Sequence, residues 1–458
     1  MKKRLAWIGL GAAAAALLLA AQQSDVIIKL TKGDKVAIAV PDLRGAGEAQ
    51  QYMDVFNQTL WSDLESSGLF YMVPKSMYPL QVAQRPEDFR PPVQAAVGGR
   101  QIPQGPWLTD WSAPPVKANY LSFGYTAAEN GQLVLRGWLY NVTQPTLSSA
   151  QIFGKVYLAP LSEDGARKEA HDFAADILKQ FGGVSLEGTK IYFVRGSRGV
   201  KEIWSMDPDG ANQKQITSYH SLSLTPAVSP DGTRLAFTSY AKGNPGIFVF
   251  SLDTGRRLPF YNVESSVVTT PEFTPDGTEI LYAAALGSGT QVWTQICIAN
   301  LDGSNMRRLT YSRSVDVEPK VNPKTGAEIA FISGRSGPAQ LFRMTMEGTD
   351  VRLLTTGEGD VANPAWHPDG QHLAFSWTRG YAPGNYNIFV MDVASRNFVQ
   401  LTHGAGRNEH PSWAPDGRHL VFSSNRSGSN QIWTMLADGT QLKQLTTQGE
   451  NEMPVWAK

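Results

Sequence analysis

The stretch SPDGTRLAF (229–237) is followed by TPDGTEILY (274–282), HPDGQHLAF (367–375) and APDGRHLVF (414–422). Each is a turn followed by a run of β-branched and aromatic residues. Asp accepts hydrogen bonds from turn amides, Gly supplies a positive φ, and Pro fixes the chain's approach. Turn chemistry accounts for all three residue types, so the motif reads as a corner between strands and not as a reactive site.

The prolines ahead of each corner give the period. Pro226, Pro271, Pro319, Pro364 and Pro411 are spaced by 45, 48, 45 and 47 residues. Repeats in the mid-forties match four-stranded propeller blades. Each period holds a short first strand (PAW, PSW), the turn, a second strand (RLAFTSY, HLVFSSN), a third (IFVFSLDTG, IWTMLADG) and a short outer strand (RRLPF, LKQLT). Residues 189–217 carry only the last three pieces, while the terminal MPVWAK carries an orphan first strand. These observations predict an all-β six-bladed β-propeller of four-stranded antiparallel blades over 184–458, its ring closed by the C-terminal strand. Trp366, Trp413 and Trp456 recur at one first-strand position, with Val228, Phe273 and Val321 in the other blades; this reads as inter-blade core.

The preceding chain lacks the repeat. Three basic residues followed by an apolar run to Ala21 have the order of a secretory signal, assigned to 1–21, with an uncleaved anchor as the alternative because Leu19 stands where a cleavage site prefers a small residue. From 22 to 183 a small α/β domain is expected. Its pieces are a strand at VAIAVPDL, a helix in EAQQYMDVFNQTLWSDLESSG, a hairpin turned at Asn130–Gly131, and a helix ended by Gly182–Gly183. A proline-rich excursion, 74–115, interrupts it.

Composition narrows the function. Lys plus Arg equals Asp plus Glu at 41 each, which gives no field for nucleic acid. One cysteine, Cys297, excludes internal disulfides and cysteine-based zinc clusters. No G-x-S-x-G, H-E-x-x-H or phosphate-loop motif is present. The seven histidines are scattered and read as exposed turn or rim residues, with Glu409 and His410 the most site-like pair. The expectation is therefore no enzyme, no cofactor, no metal and no small-molecule substrate. In a propeller, the residues just before each first-strand proline converge on one mouth of the channel. Here they are Thr225, Thr270, Glu318, Asn363, His410 and Met453, a mixture suited to a polypeptide partner.

Signal segment, α/β domain, PAVSPDG, PAWHPDG and PSWAPDG repeats, and terminal MPVWAK together resemble the TolB family of the Tol–Pal envelope system, across essentially the whole mature chain. The resemblance implies a monomeric periplasmic adaptor supporting outer-membrane integrity, with roles in protein import and cell division. It implies that the propeller mouth binds the peptidoglycan-associated lipoprotein Pal through Thr225, Thr270, Glu318, Asn363, Glu409, His410 and Met453. It further implies that the tail Asp25, Val26, Ile27, Ile28, Lys29 and Leu30 engages the inner-membrane protein TolA by adding a strand to it. An alternative reading of that tail is the first strand of the α/β domain. The chain departs from the family at Val267, where members carry a His, and at Val317, where they carry a Thr. The rival reading is a propeller related to prolyl-oligopeptidase-type peptidases, whose hydrolase domain finds no serine elbow here.

Overall fold

The computed structural model describes residues 35–89, 106–197 and 199–458. The signal segment, the tail Asp25–Leu30 and part of the proline-rich stretch lie outside the described residues. Two compact units are present, Gly33–Glu187 and Gly188–Lys458.

In the first unit the strands run in the order Phe70–Met72, Val36–Ala39, Tyr120–Glu129, Gln132–Asn141, Gln151–Pro160, with Arg44–Ala46 also paired to Tyr120–Glu129. The hairpin turns at Asn130 and Gly131, both left-handed with φ of 53° and 76°. Helices Met53–Ser66 and Glu163–Gln180 bury Phe56, Leu60, Leu64, Phe173 and Ile177 against Leu133, Leu135 and Leu139 of the sheet. Ser162 caps the second helix by accepting from the Gly165 N–H at 3.1 Å. A second cluster joins Phe123 and Tyr140 of the hairpin to Ala83, Phe89, Leu108 and Trp111 of the proline-rich stretch. Those four are apolar residues without periodic spacing, so only the folded chain shows that they pack.

The second unit contains six four-stranded antiparallel sheets. Blade 1 is built from Lys190–Ser197, Val200–Met206 and Lys214–Gln215, with Glu450–Ala457 as its first strand. Blades 2 to 6 begin with Ser223–Val228, Val268–Phe273, Asp316–Val321, Val361–Trp366 and Asn408–Trp413. One expectation is corrected here. The reading of a ring closed by the C-terminal strand, with the edges of a linear array removed, does not hold at the level of the sheets. They are six separate open sheets, none closed or strongly curled, and no strand ladder joins one blade to the next. The last strand completes blade 1 alone, and every blade keeps an inner and an outer edge. The physical reason is that blades associate through side-chain packing and single backbone hydrogen bonds, such as Val361 N–H to the Ala339 carbonyl at 2.8 Å and Asn408 N–H to the Tyr386 carbonyl at 2.9 Å, and not through a continuous strand ladder.

That side-chain association is visible in the core. Ala227 and Ala236 of blade 2 share a cluster with Phe273, Tyr282 and Cys297 of blade 3. Cys297 is fully buried, and burial pushes its thiol up to about 12, so it stays a protonated core group. Trp366, Trp413 and Trp456 are 7%, 5% and 7% exposed, as inter-blade packing requires. Trp366 donates its indole N–H to the Lys320 carbonyl of blade 4 at 3.0 Å, and Trp456 donates to Thr189 Oγ1 at 3.0 Å.

The Pro-Asp-Gly corners behave as turns. Asp231 accepts from the Thr233 N–H at 3.1 Å and from Ser229 Oγ at 2.5 Å, and Gly232 sits at φ 72°. A second device was invisible in the motif. Thr217, Thr310, Thr355, Thr402 and Thr446 follow the outer strands, and each hydroxyl accepts the N–H of the residue fourteen positions earlier. The threonines thereby pin the outer strands to the third.

Candidate binding mouth

In every blade the ladder between first and second strands breaks at one place. The register slips between Leu224 and Ala227, Thr269 and Glu272, Val317 and Lys320, Ala362 and Ala365, Glu409 and Ser412, and Glu452 and Val455. Each break spans a residue and its proline. Proline has no N–H for the ladder, and the residue before it adopts a left-handed conformation. Thr225, Thr270, Glu318, Asn363, His410 and Met453 have φ between 49° and 55°. None is glycine, so each carries strain of order 1–3 kcal/mol that the surrounding structure must hold.

At four of the six bulges the backbone N–H turns out of its own sheet and is accepted by a side chain of the previous blade. The Thr270 N–H is accepted by Thr238 Oγ1 at 3.2 Å, and that hydroxyl also bonds Thr225 Oγ1 at 2.7 Å. Glu318 N–H donates to Thr270 Oγ1 at 3.3 Å. Asn363 N–H donates to Glu318 Oε2 at 2.5 Å, and its Nδ2 donates to Glu318 Oε1 at 3.1 Å. His410 N–H then donates to Asn363 Oδ1 at 3.3 Å. Met453 has only a thioether, a weak acceptor, to offer onward. A lower tier repeats the pattern where Lys320 Nζ meets Glu272 Oε2 at 2.5 Å.

All six bulge residues and their prolines line one cavity of about 320 Å³, with Trp366, Trp413 and Trp456 among its walls. The predicted mouth residues therefore come together. Thr270, Glu318 and Asn363 spend acceptor atoms on bracing neighbouring blades, a role that the sequence did not disclose. Thr238 joins the same brace from a second strand and was missed, because its repeat position carries no distinctive motif. Glu409 lies beside the mouth, paired with Arg407 at 2.8 Å. Val267 is half-buried in the approach to Thr270, and Val317 packs against the cluster of Val361 and Trp377.

Burial shifts the titrating groups at the mouth. Desolvation raises the Glu318 carboxyl above its usual range, against the pull of the Asn363 hydrogen bonds and Lys320. Glu409 is raised by burial, with Glu452 and Glu318 adding like charge against the pull of Arg407. His410 falls to about 4, first through burial and then through Arg407, Lys201 and Lys320. At neutral pH it is an uncharged imidazole. The mouth offers hydrogen-bonding groups and apolar walls; the Ser423 hydroxyl beside it, 3.5 Å from His410 Nδ1, donates to the Glu409 carbonyl at 3.0 Å.

The histidines read as exposed are corrected in three cases. His367, His372 and His419 are 6%, 2% and 7% exposed, because the corners they flank are covered by neighbouring strands.

Comparison with known proteins gives the same picture. A family model described as "TolB beta propeller domain" matches residues 182–363 and 354–458. A "Protein TolB homolog" of Chlorobium luteolum is 30% identical over 442 residues, 96% of this chain and 94% of that protein. The "Tol-Pal system protein TolB" of Bordetella pertussis is 29% identical over 262 residues, 57% of each. The crystal structure of TolB from Acinetobacter baumannii aligns with a TM-score of 0.72 at 21% identity, over 93% of this chain and 97% of that one, a likeness of fold. With a matching family model and a relative aligned over nearly its whole length, the chain belongs to the TolB family and is a non-enzymatic periplasmic adaptor.

Proposed function

We propose that the propeller mouth binds a Pal-like, peptidoglycan-associated lipoprotein. In the same reading the tail Asp25–Leu30, with the α/β unit, contacts a TolA-like inner-membrane protein. The chain then relays occupancy between the two in a Tol–Pal system that maintains the outer membrane and supports constriction at division. The observation that carries the mouth reading is the convergence of Thr225, Thr270, Glu318, Asn363, His410 and Met453 on one cavity with buried tryptophan walls. Such a cavity, with apolar walls and a few aimed polar groups, suits an extended polypeptide segment better than a reacting small molecule. The name of the Bordetella pertussis relative, a Tol-Pal system protein, supports the choice of partner.

The test is capture from envelope extract by the immobilised full mature chain, with captured proteins identified by mass spectrometry. Met453→Asn is the informative variant, since Asn tolerates the left-handed backbone and Met453 accepts no inter-blade N–H. The expected result is loss of the lipoprotein with Met453→Asn and its retention when residues 22–34 are deleted. A TolA-like protein should show the reverse. Recovery of neither protein by the wild-type chain would refute the assignment. If tail and mouth communicate, each partner alters the affinity of the other by the same factor.

A further inference from the structure

Blade 5 departs from the repeat in carrying a histidine before its Pro-Asp-Gly corner as well as the one after it that it shares with blade 6. HPDGQH places His367 before Pro368 and His372 two residues after Gly370. The same positions hold Ser229 and Arg234 in blade 2, Thr274 and Glu279 in blade 3, and Ala414 and His419 in blade 6. In blades 2 and 3 a hydroxyl bonds the turn carboxylate, from Ser229 to Asp231 and from Thr274 to Asp276, both at 2.5 Å. A turn of this kind therefore needs no imidazole.

In blade 5 two imidazoles close on one carboxylate. His367 Nδ1 is 3.0 Å from Asp369 Oδ1, and His372 Nδ1 is 2.8 Å from Asp369 Oδ2. One ligating atom from each of the three residues lies within 4.8 Å of the others. The rings stand at 78° with centroids 5.8 Å apart, so they approach from different sides. Both histidines are buried, whereas the Asp369 side chain keeps 26% of its surface in solvent and leaves one side open.

The far nitrogens strengthen the case. His367 Nε2 lies 2.7 Å from the Gly417 carbonyl, which only accepts, so the proton sits on Nε2 and the Nδ1 lone pair accepts the Asp369 backbone N–H at 3.1 Å, a bond that a cation at Nδ1 would replace. His372 Nε2 is buried with no hydrogen-bond partner, and Asp392 Oδ2 stands 3.8 Å away. A cation on His372 Nδ1 would move that ring's proton to Nε2, facing the Asp392 carboxylate. Each imidazole would then have an oxygen behind its far nitrogen, the arrangement that holds metal-bound histidines in orientation.

We propose that His367, Asp369 and His372 form a site for one divalent transition-metal ion of the zinc class, open at a fourth position on the exposed side of Asp369. Two nitrogen ligands and one carboxylate favour zinc, nickel or copper over calcium or magnesium, which take oxygen ligands. Tetrahedral zinc sets neighbouring ligand atoms about 3.3 Å apart, so each ring nitrogen would draw back from the carboxylate by a few tenths of an ångström while the widest pair of ligand atoms, up to 4.8 Å apart, closes by up to about 1.5 Å.

The test uses the full chain stripped with chelator and titrated with Zn²⁺ alone by calorimetry, with Co²⁺ absorption reporting the ligand field. His367→Ser and His372→Arg install the residues that blade 2 uses at the same positions. One Zn²⁺ per wild-type chain is expected, with affinity falling by about 10–100-fold or more in each variant. Zn²⁺ should raise the melting temperature of the wild type only. Should one substitution prevent folding, His372→Gln supplies the same reading. The absence of saturable Zn²⁺ binding to the stripped wild type would overturn the site. So would equal stoichiometry and affinity in the folded variants.

Discussion

Glu318 Oε2 accepts the backbone N–H of Asn363 at 2.5 Å, and Glu318 Oε1 accepts the Asn363 side-chain amide at 3.1 Å. One carboxylate of blade 4 thus satisfies two donors of blade 5, one of them freed from its own ladder by a left-handed bulge.

Removing that carboxylate leaves a half-buried N–H without a partner, which costs about 1–3 kcal/mol. Glu318→Ala should lower the urea midpoint by the corresponding amount, and Glu318→Gln, which retains one acceptor, by less. Equal midpoints for wild type and Glu318→Ala would mean that the bridge contributes nothing.

His410 gives the mouth an acid-sensitive element. Its folded-state pKa of about 4 lies below the ordinary 6.5, so between those values the unfolded chain binds more protons. The contribution is complete above pH 6.5 and disappears as pH falls toward 4, by up to about 3 kcal/mol. Glu318 and Glu409, raised by burial, act in the opposite sense in wild type and variant alike. Denaturation of wild type and His410→Asn at pH 7 and pH 4.5 isolates the histidine. The wild type should lose more stability on acidification than the variant, and parallel losses would refute this.

The α/β unit contains a group of opposite sign. Glu169, on helix Glu163–Gln180, is fully buried, and the Leu135 backbone and the Lys168 charge only partly offset its loss of solvent. Burial raises its pKa to about 8, so the folded chain holds a proton that the unfolded chain releases above the ordinary 4.5. Stability therefore declines as pH rises from 4.5 to 8 and levels off beyond. Glu169→Gln should melt like the wild type at pH 4 and above it at pH 8.5, the difference having an upper bound of about 5 kcal/mol. A constant difference across that range would contradict the assignment.

Trp456 joins the C-terminal strand to blade 1 through its indole N–H to Thr189 Oγ1 and to blade 6 through its backbone N–H to Ser412 Oγ, both at 3.0 Å. Trp456→Ala should cost about 3–5 kcal/mol. Deletion of Pro454–Lys458 should cost more, since it also exposes the edge of Lys190–Ser197. Thermal melts of both proteins check this, and an unchanged midpoint for either would show that the terminal strand is dispensable.

Period, corner chemistry and strand alternation are local properties, so the blade repeat, the strand missing from residues 189–217 and the convergence of Thr225 through Met453 could be read from the chain. Each depends on residues within one repeat and on the rule that corresponding positions of a propeller share a face. The bracing of Asn363 by Glu318, the part taken by Thr238 and the burial of His367 and His372 depend on residues 31 to 50 positions apart or on the covering of one blade by the next. No periodicity encodes those meetings, because side-chain bonds across a blade gap require only compatible atoms at the right separation. The sheets, too, stay open for that reason: the strand ladders end at each outer strand, and the blades are held together by packing and single hydrogen bonds that only the folded chain displays.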